Sequence, residues 1–356
     1  MISRLGYLNL MAINLPRRRL LQSLALLALP LPAWAAGEAA PVLLAAQLSK
    51  NFGAVGGKTI VTPTRGHGII PITGNEAILL ARRPGYWMMR INWQTGEIIR
   101  QVAAAENRHF FGHAVLSSDG RTLLTSENNI QTGQGIIGLY HPQTLQRLGE
   151  LPSHGIGPHE LLFIDKQTLA VANGGILTLP KSGREKLNLA SMQPSVVLLD
   201  WPSGQKKNEY ILPDTDLSLR HLALSSDGTL GIAIQAESPR GDSVDDAPLL
   251  AILRDGKLSL AETVPGLGGY AASIAAVGTQ FILSCLEGNA LAIWDSHGKA
   301  QKQCGLLRPA GIAPWGDKAY ISTELGVITL LDPQNGTLTP VSSHPGIKWD
   351  NHLIVV

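Results

Sequence analysis

The sequence predicts an all-β fold, a seven-bladed β-propeller of the YVTN/WD40-like type, on three observations. First, short apolar strands that end in turn residues recur about every 40 to 50 residues, which is the spacing of propeller blades. Second, residues 112–120 and 220–228 match in register, and each segment closes on an Asp-Gly pair, a strong hairpin signal. Third, the two chain ends together hold the strands of one further blade. A β-sandwich is the alternative, but a sandwich does not require the same strand pattern to recur at a fixed spacing along the chain.

Composition and charge narrow the class of protein. With 44% hydrophobic and 16% charged residues, the chain of 356 residues is too apolar to be disordered. Its 29 Lys and Arg nearly balance its 27 Asp and Glu, so we expect no general nucleic-acid binding. No nucleophile elbow, phosphate-binding loop or metalloprotease helix motif is present in the sequence.

The N-terminus has the features of an export signal. Residues 17–21 read Arg-Arg-Arg-Leu-Leu, residues 20–31 are apolar, and Ala33 and Ala35 supply the small residues of a cleavage site. Residues 1–35 are therefore predicted to be a twin-arginine-type signal peptide, and the protein to be periplasmic. General secretion, or an amphipathic or membrane-anchored N-terminus, is the alternative. Beyond residue 40 no apolar run approaches about 18 residues, so no membrane span is expected in the mature chain.

Residues 36–356 are predicted to form one propeller domain in which each blade repeats the same strands. The two matched segments are inner strands, and each leads into a second apolar strand. Third strands end at turns, and a more polar outer strand follows each of them. The third strands recognised in this way are residues 137–142, 197–202, 291–295 and 328–333.

Seven inner strands can be counted. The seventh begins near the C-terminus and ends at Val356, so it lacks partners of its own. Three predicted strands at residues 42–48, 52–56 and 59–63 would complete its blade and close the ring, which removes an open sheet edge. The predicted inner strands begin at His67, His113, His159, His221, Ala271, Ala310 and His352.

Five of the ten histidines therefore occupy one repeated position, the start of an inner strand. Inner strands line the channel of a propeller, so these imidazoles are expected to converge at one mouth and to bind a metal or other ligand. For any single histidine the alternative is a structural hydrogen bond. The five are His67, His113, His159, His221 and His352.

Further polar residues are predicted at the same mouth. The position 14 residues after each strand start falls at the end of the second strand, which returns to the mouth. In five blades it is occupied by Cys285 and by the candidate ligands Glu127, Asn173, Gln235 and Glu324. Contacts to an anion or a partner are predicted for Arg65, Arg108, His109 and Arg220. Long loops over the same end, at residues 128–135, 174–195 and 236–248, indicate a lid or a partner surface.

The two cysteines are predicted to remain thiols. Cys285 closes the second strand of its blade and Cys304 lies on the fourth. Strands two apart in a sheet are separated by about 9.5 Å. That separation exceeds the roughly 7 Å between Cα atoms that a disulfide can bridge.

Four segments carry a resemblance to a known family. Residues 108–113, 155–160, 172–175 and 219–221 read RHFFGH, GIGPHE, ANGG and LRH. In these segments, and over essentially the whole mature chain, the protein resembles an uncharacterised domain-of-unknown-function family. Its members are exported seven-bladed propellers encoded beside imelysin-type iron-uptake proteins and a di-haem peroxidase-like protein. The resemblance implies a periplasmic role connected with iron, with an imelysin-like protein as partner.

The sequence thus predicts a periplasmic propeller that binds a metal ion or a small metal complex as an accessory of iron acquisition. Imidazole, carboxylate and amide ligands suit iron or copper as the cofactor, with zinc and nickel also compatible. Two alternatives remain open. One is a metal-dependent redox or hydrolytic enzyme that uses the same pocket, and the other is a non-catalytic protein-interaction scaffold.

Overall fold

The computed structural model describes residues 41–183, 185–239 and 241–356. In these ranges the chain forms seven antiparallel sheets of four strands each, arranged as the blades of a β-propeller. The predicted fold class is confirmed. The predicted signal peptide, residues 1–35, lies outside the described residues. No helix in the described part of the chain has the length and apolar character that crossing a membrane would take.

The strands of each blade run in order from the channel outward. The inner strands are β4 (Gly66–Pro71), β8 (Arg108–Leu116), β12 (Pro158–Phe163), β16 (Leu217–Leu224), β20 (Ala271–Val277), β24 (Pro309–Trp315) and β28 (Trp349–Val355). The second strands are β1 (Leu43–Gln47), β5 (Glu76–Ala81), β9 (Leu123–Asn129), β13 (Thr168–Asn173), β17 (Leu230–Ala236), β21 (Gln280–Cys285) and β25 (Lys318–Thr323).

The remaining strands complete the blades toward the rim. The third strands are β2 (Asn51–Ala54), β6 (Trp87–Asn92), β10 (Gly135–Tyr140), β14 (Ser195–Asp200), β18 (Leu250–Arg254), β22 (Ala290–Asp295) and β26 (Val327–Asp332). The outer strands are β3 (Thr59–Val61), β7 (Glu97–Ala103), β11 (Arg147–Pro152), β15 (Lys206–Tyr210), β19 (Lys257–Leu260), β23 (Ala300–Gly305) and β27 (Thr337–Ser343). Two short 3-10 turns lie at Pro180–Ser182 and Leu189–Ser191.

The ring closes through the two chain ends, as predicted. The last sheet has the order β28-β1-β2-β3, so the C-terminal strand is the inner strand of a blade whose other strands are N-terminal. Strand β28 pairs antiparallel with β1, with Leu44 opposite Ile354 and Ala45 opposite Leu353. The inner strands of successive blades contact one another around the ring, including β28 with β4. This pairing leaves no blade without its innermost strand.

The matched sequence segments form the same turn. In both copies the serine hydroxyl donates to the aspartate carboxylate at 2.6 Å, from Ser117 to Asp119 and from Ser225 to Asp227. The glycine after each aspartate has a positive φ, which the turn requires and glycine adopts without strain. The two matching sequence segments therefore form the same turn between the first two strands of their blades.

The core lies between the blades. Strands β1 and β13 are buried along their whole length because both faces of the sheet pack on neighbouring blades, whereas the outer strand β23 alternates between partly buried and exposed residues. Between the fourth and fifth blades, Phe281 and Trp294 fill the interface. A Cβ atom at Gly231 would lie 2.6 Å from the Phe281 ring, so this face accepts no larger residue.

The two cysteines lie in the predicted strands and both thiols are free. We expect Cys304 to react with a thiol reagent before Cys285, because Cys285 is fully buried and burial raises the pKa of its thiol to about 12. Labelling with a chromogenic disulfide in native buffer, then in urea, measures this order. Rapid release of two equivalents by the native protein would contradict the burial of Cys285.

Candidate metal centre

The five repeated histidines lie at irregularities of their inner strands. A β-bulge adds an unpaired residue to a strand and changes the direction of its side chains. In every one of the five strands the pairing register shifts around the histidine. The shifts span residues 66–69 at His67, 110–114 at His113, 158–161 at His159, 219–222 at His221 and 349–353 at His352.

The structure brings the five imidazole rings into one cluster, which we call the histidine cluster. His113 is at its centre, with its ring centroid 4.9 Å from His67, 4.4 Å from His159, 5.2 Å from His221 and 4.8 Å from His352. The remaining neighbours are 4.4 Å apart for His67 and His352, 4.6 Å for His159 and His221, and 5.2 Å for His221 and His352.

Two glycines allow the first two inner strands to approach. A Cβ atom at Gly68 would lie 2.2 Å from the carbonyl oxygen of Gly112. Gly112 itself has a φ of +105°, and a Cβ there would lie 2.8 Å from the His67 ring. Neither position has room for a side chain, so glycine is what lets His67 and His113 meet.

The ring spacing matches that of imidazoles on a shared metal ion. With a metal–nitrogen distance of about 2.0 to 2.1 Å, rings on one ion have centroids roughly 4.5 to 5.2 Å apart for octahedral to tetrahedral angles. The observed centroid distances run from 4.4 to 5.2 Å. The rings form two sets of three, and within each set the three possible ligand nitrogens lie within 4.8 Å of one another. Both sets contain His113.

Two of the histidines are oriented by carboxylates. The Nδ1 atom of His67 lies 2.6 Å from Asp350 Oδ1, and that of His221 lies 3.0 Å from Glu160 Oε2. A carboxylate that is ionised only accepts hydrogen bonds, so each ring donates from Nδ1 and Nε2 is its possible ligand atom. A carboxylate behind a histidine in this way is the usual support of a metal ligand.

Asp350 is held ionised in the interior. It is fully buried, and its carboxylate accepts hydrogen bonds from Arg65 Nε at 2.6 Å and from the backbone N–H of Asn351 at 2.7 Å. Burial alone would raise the pKa of Asp350, but attraction to His67 and Arg65 outweighs it and lowers the pKa. The carboxylate is therefore available to orient His67 at neutral pH.

The other three histidines have buried ring nitrogens without partners. Among the described residues, no hydrogen bond reaches His113 Nε2, His159 Nδ1 or His352 Nε2. A buried polar atom without a partner is costly, and native proteins usually satisfy it with protein, water or a ligand. One metal ion or other ligand held by several rings would satisfy these three atoms together.

Four of the five imidazoles are held neutral at pH 7. Burial lowers the pKa of His113, His159 and His352 well below 6.5, and mutual repulsion between the rings lowers it further. Burial also lowers the pKa of His67, although Asp350 opposes the effect. A neutral imidazole has the lone pair that a metal ion needs, so no proton has to be displaced before binding.

A cavity of about 40 Å³ opens above the cluster. This volume holds roughly three water molecules at the 10 to 15 Å³ that one water needs, so a metal ion with small ligands fits better than a large chelate. Three arginines line the cavity and favour negatively charged ligands. The full lining is His67, Arg82, Arg83, Phe111, His159, Arg220, His221, Gln235, Tyr270 and Asn351.

Two further predicted residues, Gln235 and Arg220, lie at this cavity. The Gln235 amide donates to Glu237 Oε1 at 2.8 Å, and the Nε atom of Arg220 donates to Ser218 Oγ at 2.8 Å. The Glu237 carboxylate also forms an ion pair with Lys186 in the long loop at residues 174–194. Side chains of the cavity wall are thus linked to that loop.

His109 lies beside the cavity and outside the histidine cluster. Its ring stacks on the Phe111 ring with the two centroids 5.2 Å apart, and the guanidinium of Arg83 lies 5.4 Å from the centroid of the same Phe111 ring. Burial lowers the pKa of His109 to about 4. The structure therefore places His109 in an apolar and aromatic wall.

The two carboxylates predicted at the ends of second strands, Glu127 and Glu324, lie in separate ion pairs away from the histidine cluster. Glu127 is fully buried and accepts hydrogen bonds from Arg147 Nη1 at 2.9 Å, while Glu324 accepts from Arg308 Nη2 at 2.6 Å. The physical reason is the position of the second strand, which lies about 4.8 Å farther from the axis than the inner strand. Its side chains point into the interfaces between blades, so these carboxylates are not brought to the histidines.

Three other predicted residues also have structural partners. Asn173 is buried and donates to the backbone carbonyl of Ser153 at 3.1 Å. Arg65 is paired with Asp350 as described, and Arg108 binds both carboxylate oxygens of Glu150, at 3.0 and 2.7 Å. In this structure the charges of Arg65 and Arg108 are thus balanced by carboxylates of the protein.

Sequence reasoning missed Phe111, which lines the cavity, and four further residues of the site. Asp350 and Glu160 orient histidines, while Tyr270 and Asn351 line the cavity, where Asn351 Nδ2 donates to the Tyr270 hydroxyl at 2.7 Å. A signal for the carboxylates was present. Glu160 directly follows His159, and Asp350 comes two residues before His352, so both acids are in inner strands where apolar residues are expected.

Fold and site together define a seven-bladed β-propeller with a largely buried histidine cluster at one end of its channel. A family profile matches residues 60–356, and the chain belongs to that family, described as protein of unknown function DUF1513. The predicted resemblance to an uncharacterised family is thereby confirmed, while the gene neighbourhood stays a prediction. A comparison with curated proteins gave no match.

Proposed function

We propose that the protein binds a transition-metal ion, together with small ligands, in the histidine cluster. We further propose that it acts in the periplasm as a binding or delivery component of iron acquisition. The observation that carries the proposal is the convergence of five imidazoles, three of which have buried ring nitrogens without partners among the described residues. A structural histidine normally has its hydrogen bonds satisfied, so this arrangement favours ligation.

The donor set supports a borderline metal ion. Imidazole suits iron, copper, zinc and nickel, whereas a thiolate would favour softer ions. Cys285 supplies no thiolate, because burial raises the pKa of its thiol to about 12. Among these metals, iron is favoured by the resemblance to propellers encoded beside iron-uptake proteins, and the predicted export signal favours the periplasm.

The cavity supports the part of the proposal that concerns small ligands. Arg82, Arg83 and Arg220 line it together with Gln235. Guanidinium groups bind carboxylates and other oxyanions with paired hydrogen bonds, so a metal ion would enter with anionic ligands more readily than alone. The loop around Lys186, joined through Glu237 to this wall, is the surface that we propose for an imelysin-like partner.

Metal analysis of untagged protein, exported in its host, tests the proposal. We expect about one equivalent of a first-row metal. We expect the double substitution of His113→Ala and His159→Ala to weaken binding at least 100-fold, since three-ligand coordination is lost in either set. The exposed His297→Ala is the matched control and should bind like the native protein.

The outcomes separate the proposed function from its alternatives. Protein that holds no metal after isolation, and takes up neither iron nor copper, would overturn the metal site. Partner binding that survives both substitutions would then favour the interaction scaffold. Turnover of a substrate that is lost with the metal would show that the site is catalytic.

A further inference from the structure

The histidine cluster contains two overlapping sets of three possible ligands. One set is His67, His113 and His352, and the other is His113, His159 and His221. In each set the ligand nitrogens lie within 4.8 Å of one another. The two sets share only His113, whose ring contacts all four of the others.

The two sets have the same composition. Each contains one histidine oriented by a buried or partly buried carboxylate, namely His67 by Asp350 and His221 by Glu160. Each also contains one histidine with a buried nitrogen that lacks a partner among the described residues, at His352 Nε2 and His159 Nδ1. The shared His113 adds a third buried nitrogen, Nε2, that has no hydrogen-bond partner among the described residues.

We propose that these sets are two alternative positions for one metal ion, which share His113 as a common ligand. The inference rests on the proposed function and adds the number and the arrangement of the positions. A neutral imidazole has one nitrogen with a free lone pair, so His113 serves one position at a time. Two cations this close would repel each other, and the cavity lining contains no carboxylate among the described residues to offset that repulsion.

The arrangement allows an ion to move without losing all its ligands. His67 of the first set and His159 and His221 of the second line the cavity, so both positions are accessible from the same mouth. An ion held by His113 can exchange the other two ligands for those of the second set. A shared ligand of this kind suits a protein that accepts a metal ion and releases it again.

Copper titration with electron paramagnetic resonance tests the proposal, with Cu²⁺ as the probe. We expect the wild-type protein to bind one equivalent and to show two overlapping Cu²⁺ signals. His67→Gln should remove one signal and His221→Gln the other. For positions of similar affinity, each single substitution lowers the association constant only about twofold, because one of two alternatives remains.

The combined variant separates two positions from one extended site. His67→Gln with His221→Gln should weaken Cu²⁺ binding more than 100-fold, and so should His113→Gln alone, because each leaves no complete set. His297→Gln is the matched control, and thermal unfolding reports whether each variant is folded. Loss of binding in either single variant, or two equivalents in the wild type, would overturn the two positions. A wild-type protein that binds no Cu²⁺ would instead overturn the metal site itself.

Discussion

Lowering the pH from 7.5 to 5 is expected to destabilise the metal-free protein steeply. Burial lowers the pKa of His67, His113, His159 and His352, whereas in the unfolded chain these groups titrate near 6.5. The unfolded state therefore binds more protons below pH 6.5. The stability that depends on neutral imidazoles is present above that pH and is lost as the pH falls toward the folded pKa values.

The size of the effect follows from the number of protons. Each histidine that stays neutral costs about 1.4 kcal/mol per pH unit below 6.5, so four cost up to about 5 kcal/mol per unit. A typical domain has only about 5 to 15 kcal/mol in total. His109, with a pKa of about 4, adds to the same trend. Urea denaturation of metal-free protein at pH 7.5, 6.5, 5.5 and 5.0 measures the slope.

Two comparisons identify the histidine cluster as the cause. His113→Gln should reduce the slope by about one proton, because it removes one of the titrating groups. Metal-loaded protein should show a flatter profile, since the ion binds the neutral rings and competes with protons. Asp350 does not contribute in this window, because its lowered pKa confers stability that is lost only under much stronger acid. A flat profile of the metal-free protein would contradict neutral, buried imidazoles.

Asp350→Ala is expected to destabilise the protein by about 3 to 5 kcal/mol at pH 7.5, the cost of breaking a buried ion pair from one side. Asp350 belongs to the last strand, while its partners Arg65 and His67 belong to the first blade. The carboxylate thus links the two ends of the ring. Removing it leaves the Arg65 charge without its partner and His67 without its acceptor.

Urea denaturation of the Asp350→Ala protein measures the loss, and a surface variant provides the scale. Glu209→Ala removes an exposed pair with Lys206 and should cost no more than about 1 kcal/mol. Asp350→Asn, which keeps the shape of the side chain, should fall between the two. The two Asp350 substitutions should weaken metal binding only about as much as His67→Gln does, roughly twofold, because the set of His113, His159 and His221 remains. A decrease in the free energy of unfolding of less than about 1 kcal/mol for Asp350→Ala would show that Asp350 does not stabilise the contact between the last strand and the first blade.

The positions of the strands in each blade could be predicted because a propeller repeats the same turn residues from blade to blade. The Ser-Asp-Gly turns at residues 117–120 and 225–228 form the same hydrogen bonds, so a match in sequence predicted a match in structure. The lone C-terminal strand predicted the closure of the ring, because a single inner strand cannot form a blade. Both inferences needed only local turn chemistry and the rule that sheet edges are paired.

The polar residues at the ends of the second strands show a limit of prediction from the sequence repeat. Gln235 lies at the cavity, but Glu127 and Glu324 bind Arg147 and Arg308. Counting residues along a hairpin locates the end of a strand, but it does not show which way the side chain points. That direction depends on bulges and on the neighbouring blade, and the partner arginines are not part of the repeat.

The sequence by itself determined the class of fold, the closure of the ring and the five histidines at one end of the channel. These depend on alternation, turns and period, which are local properties of the chain. Only the tertiary structure decided that Asp350 and Glu160 orient two of the rings, that burial lowers the pKa of the other three and of His67, and that both sets of three contain His113. Burial, bulges and contacts between distant strands produce those features, and they exist only once the ring has closed.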